Sequence, residues 1–242
     1  MIRDLVRQAL VGLLLSTAFV GVASADPVYD LADDWSNTSN PSGTWTYGYF
    51  TSGLDPSSFS SFANSGANGT YPTLQVWDTG GGADPNIIKN TGADVDTTPN
   101  FGNILFTAGN VTFGPYLGPT VARWTAPVGG TFSVEAAFAT VQEGNGTPNA
   151  YISIDGAAVS DLGAVANGLI GNSIPNGLSG LTTDYASTLT LAGQTGDFIV
   201  WGGNSANKTT EVSATVAPVP EPSTLVLRGL GLAGLVYIRR RR

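Results

Sequence analysis

The clearest structural signal in the sequence is a strict alternation of apolar and polar residues between Gly130 and Thr140, which reads GTFSVEAAFAT. Successive side chains of a β-strand point to opposite faces. An apolar residue at every second position from Phe132 to Phe138 therefore predicts a strand with one buried face. Glu135 falls on the other face and is expected to be solvated.

Similar short apolar runs, separated by Gly, Ser, Thr, Asn and Asp, occur throughout residues 26–217, and no window of 11 residues in this region shows a convincing helical period. Asp155-Gly156 is the strongest hairpin signal, because these residues suit the tight turn between two strands. The strands predicted in this way are Thr120–Thr125, Ala150–Ile154, Ala157–Ser160, Tyr185–Leu191, Asp197–Trp201 and Thr209–Val216. A series of short strands of this kind is typical of an all-β sandwich or barrel.

Two weakly patterned segments, 52–70 and 162–184, are predicted to be loops because they are rich in Gly, Asn and Ser. No linker is long enough to divide the chain. Residues 26–217 are therefore expected to form a single β-sandwich domain, which is long enough for one packed core. Ala214–Pro220 (ATVAPVP) is expected to follow it as a short extended spacer.

The first 25 residues have the three parts of a Sec-type signal peptide. Arg3 and Arg7 charge its start, Leu10–Val22 is apolar, and Ala23 and Ala25 supply the small residues of a cleavage site. The sequence therefore predicts a signal-peptide helix over residues 1–25. A permanent N-terminal membrane helix is the alternative, and the short apolar run disfavours it.

The tail Val219–Arg242 reads VPEPSTLVLRGLGLAGLVYIRRRR. The tripeptide of Pro220, Glu221 and Pro222 is rigid, because proline fixes its own φ angle and has no backbone donor. Leu225–Ile238 is an apolar run that Arg228 interrupts. Its 14 residues span about 21 Å as a helix, which is short of a bilayer core of about 30 Å. The tail ends in a positive block, formed by Arg239, Arg240, Arg241 and Arg242.

A positive block beside an apolar run belongs on the cytoplasmic side of a membrane. The tail therefore predicts a short C-terminal transmembrane helix, with the preceding domain on the other side. This tail resembles the PEP-CTERM protein-sorting signal of Gram-negative bacteria, although Arg228 stands where the family usually has an apolar residue. The resemblance implies a sorting signal over residues 218–242, which an exosortase recognises and is thought to cut at the PEP motif. The alternative is a plain membrane anchor, which the short apolar run disfavours.

The signal peptide predicts export by the Sec machinery, and the resemblance implies an inner-membrane intermediate that is delivered to the cell surface or extracellular matrix. Two further parts of the chain extend it. Asn40–Tyr49 (NPSGTWTYGY) looks like the opening of exported β-domains in PEP-CTERM proteins. Val121–Pro127, Gly130–Phe132, Ile154–Gly156 and Gly196–Trp201 look like successive strands of a jelly-roll module that resembles carbohydrate-binding modules. This likeness implies a jelly-roll fold, and a fold alone does not give a function.

The charge distribution excludes one class of partner. Residues 26–217 contain 16 acidic residues and only three basic ones (Lys89, Arg123 and Lys208), a net charge of −13. Because binding to phosphates requires clustered Lys and Arg, nucleic acid is not an expected partner. Neutral polymers such as extracellular polysaccharide, or divalent cations, suit such a surface better.

The sequence contains no Cys and no His. This composition excludes disulfides, thiol nucleophiles, catalytic Ser-His and Cys-His pairs, and the commonest zinc ligand. Paired carboxylates could still hydrolyse glycosides, but the sequence brings no two of them into one cleft. No catalytic residue and no cofactor is therefore predicted. Asp94 and Asp96, near Asp84, form a Ca²⁺ candidate, for which a solvated loop with Asx-turns is the favoured alternative.

Three aromatic residues, Trp45, Tyr47 and Tyr49, share one face of a predicted strand. They could stack on sugar rings, but packing in the core is the favoured interpretation. Arg123 could either hold a ligand or pair with an acid inside the sheet, and the structural role is favoured. The sequence thus predicts a non-enzymatic structural protein of the cell surface or exopolysaccharide matrix. A carbohydrate-binding module for matrix polysaccharide is the first alternative, and a secreted hydrolase is the second.

Overall fold

The computed structural model describes residues 27–80, 85–97, 104–142, 148–164, 166–167, 183–189, 195–201 and 209–219. The predicted signal-peptide helix and the predicted C-terminal transmembrane helix lie outside these residues. Within the described part of the chain, no helix is long and apolar enough to cross a membrane.

The described residues fold into β-strands and one short 3-10 turn at Pro56–Ser58, which confirms the all-β prediction. The strands are β1 (Tyr29–Asp30), β2 (Trp45–Phe50), β3 (Phe59–Ser61), β4 (Asn64–Ala67), β5 (Leu74–Asp78), β6 (Asn86–Asn90), β7 (Val95–Asp96), β8 (Leu105–Phe106), β9 (Val111–Gly114), β10 (Thr120–Thr125), β11 (Phe132–Thr140), β12 (Asn149–Ile154), β13 (Ser160–Ala164), β14 (Ala166–Asn167), β15 (Thr183–Leu189), β16 (Thr195–Trp201) and β17 (Thr210–Pro218).

The larger sheet has the strand order β14-β11-β17-β9-β6-β5-β4, and β15 also pairs with β11. Its pairs are antiparallel except for the parallel pair of β11 and β14. The strand β17 lies inside this sheet. One of its edges pairs with β11 along its whole length, from Pro218 opposite Phe132 to Thr210 opposite Thr140. Its other edge pairs with β9 and, further along, with β1.

The smaller sheet is antiparallel and has the strand order β13-β12-β16-β10-β2-β3. Its hairpin of β12 and β13 turns at Asp155 and Gly156, whose φ angles are 54° and 68°. Two consecutive positive φ angles define the type I′ turn that Asp-Gly favours, so the hairpin predicted from the sequence is confirmed. Its second strand begins at Ser160, slightly later than predicted.

The two sheets face each other across one apolar core. Aromatic rings make much of the contact: Trp124 of the smaller sheet meets Phe132 of the larger one, with ring centroids 5.0 Å apart. Tyr47 of the smaller sheet also meets Trp77 of the larger one, with ring centroids 6.5 Å apart. Large rings suit this position because each buries much apolar area. The architecture is therefore a β-sandwich of antiparallel sheets.

Smaller apolar clusters cover the outer faces of both sheets. The segment that carries the β7–β8 pair lies on the larger sheet, where Ile104 and Phe106 pack against Leu74 and Val141. On the smaller sheet, Phe59 packs against a second cluster of Phe50, Val121 and Ile199. Residues on the outward side of a strand can therefore be buried in this protein.

The structure corrects three predictions about irregular segments. Segment 52–70 contains β3 and β4, and segment 162–184 contains parts of β13 and β15 as well as β14, so neither is a simple loop. The predicted spacer Ala214–Pro220 is largely the end of β17, which continues to Pro218. Ala214 and Val216 are buried in the core. The pairing of β17 with β11 explains this error, because it extends the sheet through residues that composition alone marks as a linker.

Candidate functional site

The aromatic stripe that could have faced a ligand is part of the core. Trp45 and Tyr47 have no exposed surface. Tyr47 packs against the ring of Trp35, with centroids 4.6 Å apart. Burial raises the pKa of the Tyr47 hydroxyl, and the nearby Asp34 carboxylate raises it further. Both side chains are therefore packed in the core, as the favoured interpretation of the stripe expects, and neither offers a surface to a ligand.

Residues of the segment Asn40–Tyr49 stabilise the local structure around β2. Asn40 donates its Nδ2 hydrogens to the carbonyls of Tyr47 (2.8 Å) and Phe62 (2.9 Å), and its Oδ1 accepts the Tyr47 amide (2.8 Å). At Gly48, a Cβ atom would lie 2.8 Å from the Phe59 ring and 2.3 Å from the Ser60 carbonyl. Only glycine fits so close an approach. The roles of Asn40 and Gly48 are therefore structural.

Arg123 forms an ion pair inside the smaller sheet. Its Nε and Nη2 donate to the two oxygens of Asp197 at 2.6 and 2.7 Å, and Nη2 also donates to the Pro56 carbonyl at 3.1 Å. Its guanidinium carbon lies 4.0 Å from the centroid of the Phe59 ring, a cation–π contact. Asp197 is fully buried, and burial raises its pKa while Arg123 opposes the rise. The contacts support the structural role of Arg123.

The two aspartates of the Ca²⁺ candidate lie in different environments. Asp94 accepts the Ala108 amide through Oδ1 at 2.7 Å, which ties together the ends of the segment with β7 and β8. Asp96 is exposed on β7. Among the described residues, no group of three or more Asp and Glu side chains could hold a metal ion. Asp84 lies outside these residues, so the Ca²⁺ candidate stays a prediction.

Glu211 is a buried acid that sequence reasoning missed. It alternates with the core residues of β17, so the strand pattern predicts that it faces solvent, but the segment with β7 and β8 covers it. Its Oε1 accepts the Asn110 Nδ2 hydrogen at 2.6 Å, and the residue is only 1% exposed. Burial raises the pKa of Glu211 to about 7; Asp94 adds to the rise, and the polar side chains of Thr107 and Asn110 oppose it.

A notch of about 330 Å³ lies beside Glu211, where β9 and β1 leave a gap along the edge of β17. Asp30 and Asp33 line it as well. Oδ1 of Asp30 accepts the amides of Ala32 (2.8 Å) and Asp33 (3.0 Å), which supports the turn after β1. Two carboxyl groups in the notch, those of Asp30 and Glu211, thus accept hydrogen bonds from the protein itself.

The end of β17 brings the folded domain close to the predicted processing site. The Val219 amide donates to the Thr131 carbonyl at 2.7 Å, so the described chain is held in place up to the residue before Pro220. Tyr29 pairs with Val216, which places both ends of the described chain at the same end of the sandwich. The predicted site residues Pro220, Glu221, Pro222, Arg239, Arg240, Arg241, Arg242, Ala23 and Ala25 lie outside the described residues.

Comparison with known families identifies the segment that follows β17. The model of the PEP-CTERM protein-sorting motif matches residues 218–242. The chain carries a PEP-CTERM sorting motif. The match begins at Pro218, the last residue of β17, so the PEP-CTERM motif directly adjoins a core strand. This motif implies export of the chain with a membrane-anchored intermediate. The match covers about a tenth of the sequence and leaves the β-sandwich unassigned. No curated protein matches the chain.

Solved structures similar to this chain include carbohydrate-binding modules. CBM35 of Paenibacillus barcinonensis is 17% identical, with 53% of this chain and 87% of that chain covered and a TM-score of 0.29. The CBM6 module of Cellvibrio mixtus lichenase 5A, in complex with cellotriose, is 12% identical, with 81% and 100% covered and a TM-score of 0.25. The CBM22-1 and GH10 modules of Clostridium thermocellum xylanase 10B are 10% identical, with 72% and 28% covered and a TM-score of 0.29. Because such low TM-scores do not establish a shared fold, the assignment of a sandwich rests on the strand pairing.

Proposed function

We propose that this protein is a non-enzymatic structural protein of the cell surface or exopolysaccharide matrix, which an exosortase sorts and cuts at Pro220–Pro222. The observation that carries the proposal is the PEP-CTERM motif over residues 218–242. In this proposal the Sec machinery exports the chain, and residues 1–25 are removed after Ala25. The tail then holds an intermediate in the inner membrane of a Gram-negative host until it is cut.

The folded domain supports a structural role more than a catalytic one. The aromatic candidates are buried, and the guanidinium of Arg123 is engaged by Asp197 and Pro56. The net charge of −13 over residues 26–217 would keep an exported chain soluble, because like charges repel.

Intact mass spectrometry of the protein recovered from a host that makes an exosortase tests the proposal. We expect a mature chain that begins at Asp26 and ends within or next to Pro220–Pro222. The variant Glu221→Ala is expected to retain Arg242, because it removes the charged residue of the motif. Glu135→Ala, which changes an exposed acid on β11, is the matched control and should be processed normally.

Two results would contradict the proposal. A wild-type protein that still ends in Arg242 in such a host would show that the tail is not a processing signal. Equal processing in a host that lacks the exosortase would show that another protease cuts the chain.

A further inference from the structure

Three neighbouring strands at the β4 edge of the larger sheet carry a row of polar side chains. Asn64 of β4 lies opposite Asp78 of β5, and Asp78 lies opposite Asn86 of β6. Residues opposite each other on paired strands point to the same face. The intervening residue Trp77 points into the core between the sheets, so the polar row stands on the outer face.

An apolar floor lies beside this polar row. Two residues further along each strand, Gly66 lies opposite Val76, and Val76 lies opposite Ile88. The two aliphatic side chains form the floor, and the glycine leaves it open, because a Cβ atom at Gly66 would meet no other atom within 4 Å. The result is a cavity of about 330 Å³ between the polar row and the turn after β4. We call it the edge groove. Its volume falls at the lower end of the range for small-molecule sites.

The polar groups of the edge groove combine donors and acceptors. Asn68 adds a third amide to those of Asn64 and Asn86. Backbone amides of Thr70 and Tyr71 donate to Oδ1 of Asn68 at 2.9 and 3.0 Å, which fixes this amide with Nδ2 as the donor. An amide can both donate and accept hydrogen bonds, as a sugar hydroxyl can.

The described residues that line the groove include one acid and no base. The acid is Asp78, whose Oδ1 accepts the Gly80 amide at 2.7 Å. A phosphate, sulfate or uronate would therefore meet a negative charge and no cation, whereas a neutral ligand would not be repelled. The aliphatic floor of Val76 and Ile88 suits the apolar C–H face of a sugar ring.

From this geometry we infer that the edge groove binds a segment of a neutral polysaccharide. The amides of Asn64 and Asn68 hydrogen-bond the hydroxyls on one edge of a sugar, and the floor contacts its ring. This inference goes beyond the sorting function proposed above and does not depend on processing of the tail. The outer edge of β4 pairs with no other strand of the described residues, and such an edge can accept a peptide strand. The side chains of the groove, however, lie on the face of the sheet, where an added strand would not contact them.

Titration calorimetry on the full chain in mild detergent tests the inference. The probes are cellohexaose, xylohexaose and laminarihexaose as neutral sugars, a hexamer of galacturonate as the anionic sugar, and a Val-Thr hexapeptide as the strand mimic. We expect at least one neutral hexasaccharide to bind, and the galacturonate hexamer and the peptide not to bind.

Two variants and one control locate the binding. Gly66→Leu places a side chain in the open part of the groove and should weaken the affinity roughly tenfold or more. Asn64→Ala, at an exposed position, should weaken it severalfold and leave the melting temperature unchanged. Thr125→Leu places the same side chain at an exposed position of the smaller sheet, and its affinity should equal that of the wild type.

Three outcomes would overturn the inference. One is that no neutral hexasaccharide binds at millimolar concentration. Another is that both groove variants, with wild-type melting temperatures, bind as well as the control. The third is that the galacturonate hexamer or the peptide binds more tightly than every neutral sugar.

Discussion

Asp197 and Glu211, the two most deeply buried acids among the described residues, are stabilised in different ways. Asp197 has a guanidinium on both of its oxygens. Glu211 instead accepts a hydrogen bond from the uncharged amide of Asn110, and the carboxylate of Asp94 lies near enough to oppose its ionisation. A buried charge without a counter-charge is unfavourable, so the proton should stay on Glu211 up to near neutral pH. The two acids should therefore respond to pH and to substitution differently.

Glu211 should make the domain less stable as pH rises towards neutrality. Its pKa is about 7 in the folded state against an ordinary value of 4.5, so the folded state holds the proton more tightly than the unfolded state. The resulting stability is fully present below about pH 4.5 and is lost as pH rises through about 7, on the order of 3 kcal/mol in all. Urea denaturation of Glu211→Gln should give a flatter pH profile, with the variant more stable than wild type at pH 8. The profile of the exposed control Glu135→Gln should follow that of the wild type. If the profile of Glu211→Gln also runs parallel to that of the wild type, Glu211 does not cause the pH dependence.

Removing the partner of Asp197 should destabilise the smaller sheet strongly. Arg123→Met leaves a fully buried carboxylate without its counter-charge, which costs about 3 to 5 kcal/mol. The double variant Arg123→Met/Asp197→Leu replaces the pair by apolar residues and should recover much of that loss. Denaturation of the two single variants and the double variant measures this coupling. Additive losses would mean that the ion pair contributes nothing as a pair.

At the scale of elements, the sequence predicted strands whose two faces differ. The alternation of apolar and polar residues predicts β11. In the structure, Val134 and Phe138 are buried and Glu135 is exposed, as this alternation requires. The β12–β13 hairpin was recognised from its turn residues alone. Such local patterns reflect the geometry of a single strand, which is why they can be interpreted without knowledge of the fold.

Features that depend on pairing between distant segments could not be predicted in this way. β4 reads as a loop because its residues NSGA are small and polar, and only its pairing with β5 makes it a strand. The edge groove depends on the register that sets Asn64, Asp78 and Asn86 side by side. Glu211 is buried because a segment more than 100 residues away in sequence covers it. The sequence places these residues in their segments, but it does not show which segments meet.

The close junction of β17 with the PEP-CTERM motif gives a prediction about processing, and it rests on the proposed function. Only Val219 separates the last strand residue from Pro220, and the Val219 amide is bonded to Thr131. One extended residue spans only about 3.3 Å, so a folded domain leaves little free chain for a protease. Inserting Gly-Ser-Gly-Ser between Val219 and Pro220 should therefore speed cleavage, measured by pulse-chase in a host with an exosortase.

The same insertion combined with Glu221→Ala is the control and should stay uncut, which shows that the added residues are not themselves a new cleavage site. If the wild type is cut and the insertion leaves its rate unchanged, the β17 junction does not limit processing, although the sorting function stands. If the wild type is not cut at all, the sorting function itself fails.

For the whole molecule, β17 is the last described strand and joins both sides of the larger sheet. It joins β11 on one edge to β9 and β1 on the other, and its Val212, Ala214 and Val216 complete the core. The loss of two buried valines alone would remove about 2 kcal/mol each, and loss of the strand would also leave two sheet edges unpaired. The sandwich should therefore require the chain up to Pro218 and should not require the sorting tail.

Two truncations separate these requirements. A chain that ends at Val219 keeps β17 and every pair that it makes, so it should unfold cooperatively at the melting temperature of the full chain. A chain that ends at Thr209 lacks the strand and should show no cooperative transition. Circular dichroism against temperature measures both. If the shorter chain also unfolds cooperatively, β17 is dispensable. If the chain that ends at Val219 melts well below the full chain, the tail contributes to the fold. The expected result would mean that cleavage at the PEP motif releases a sandwich that is already complete.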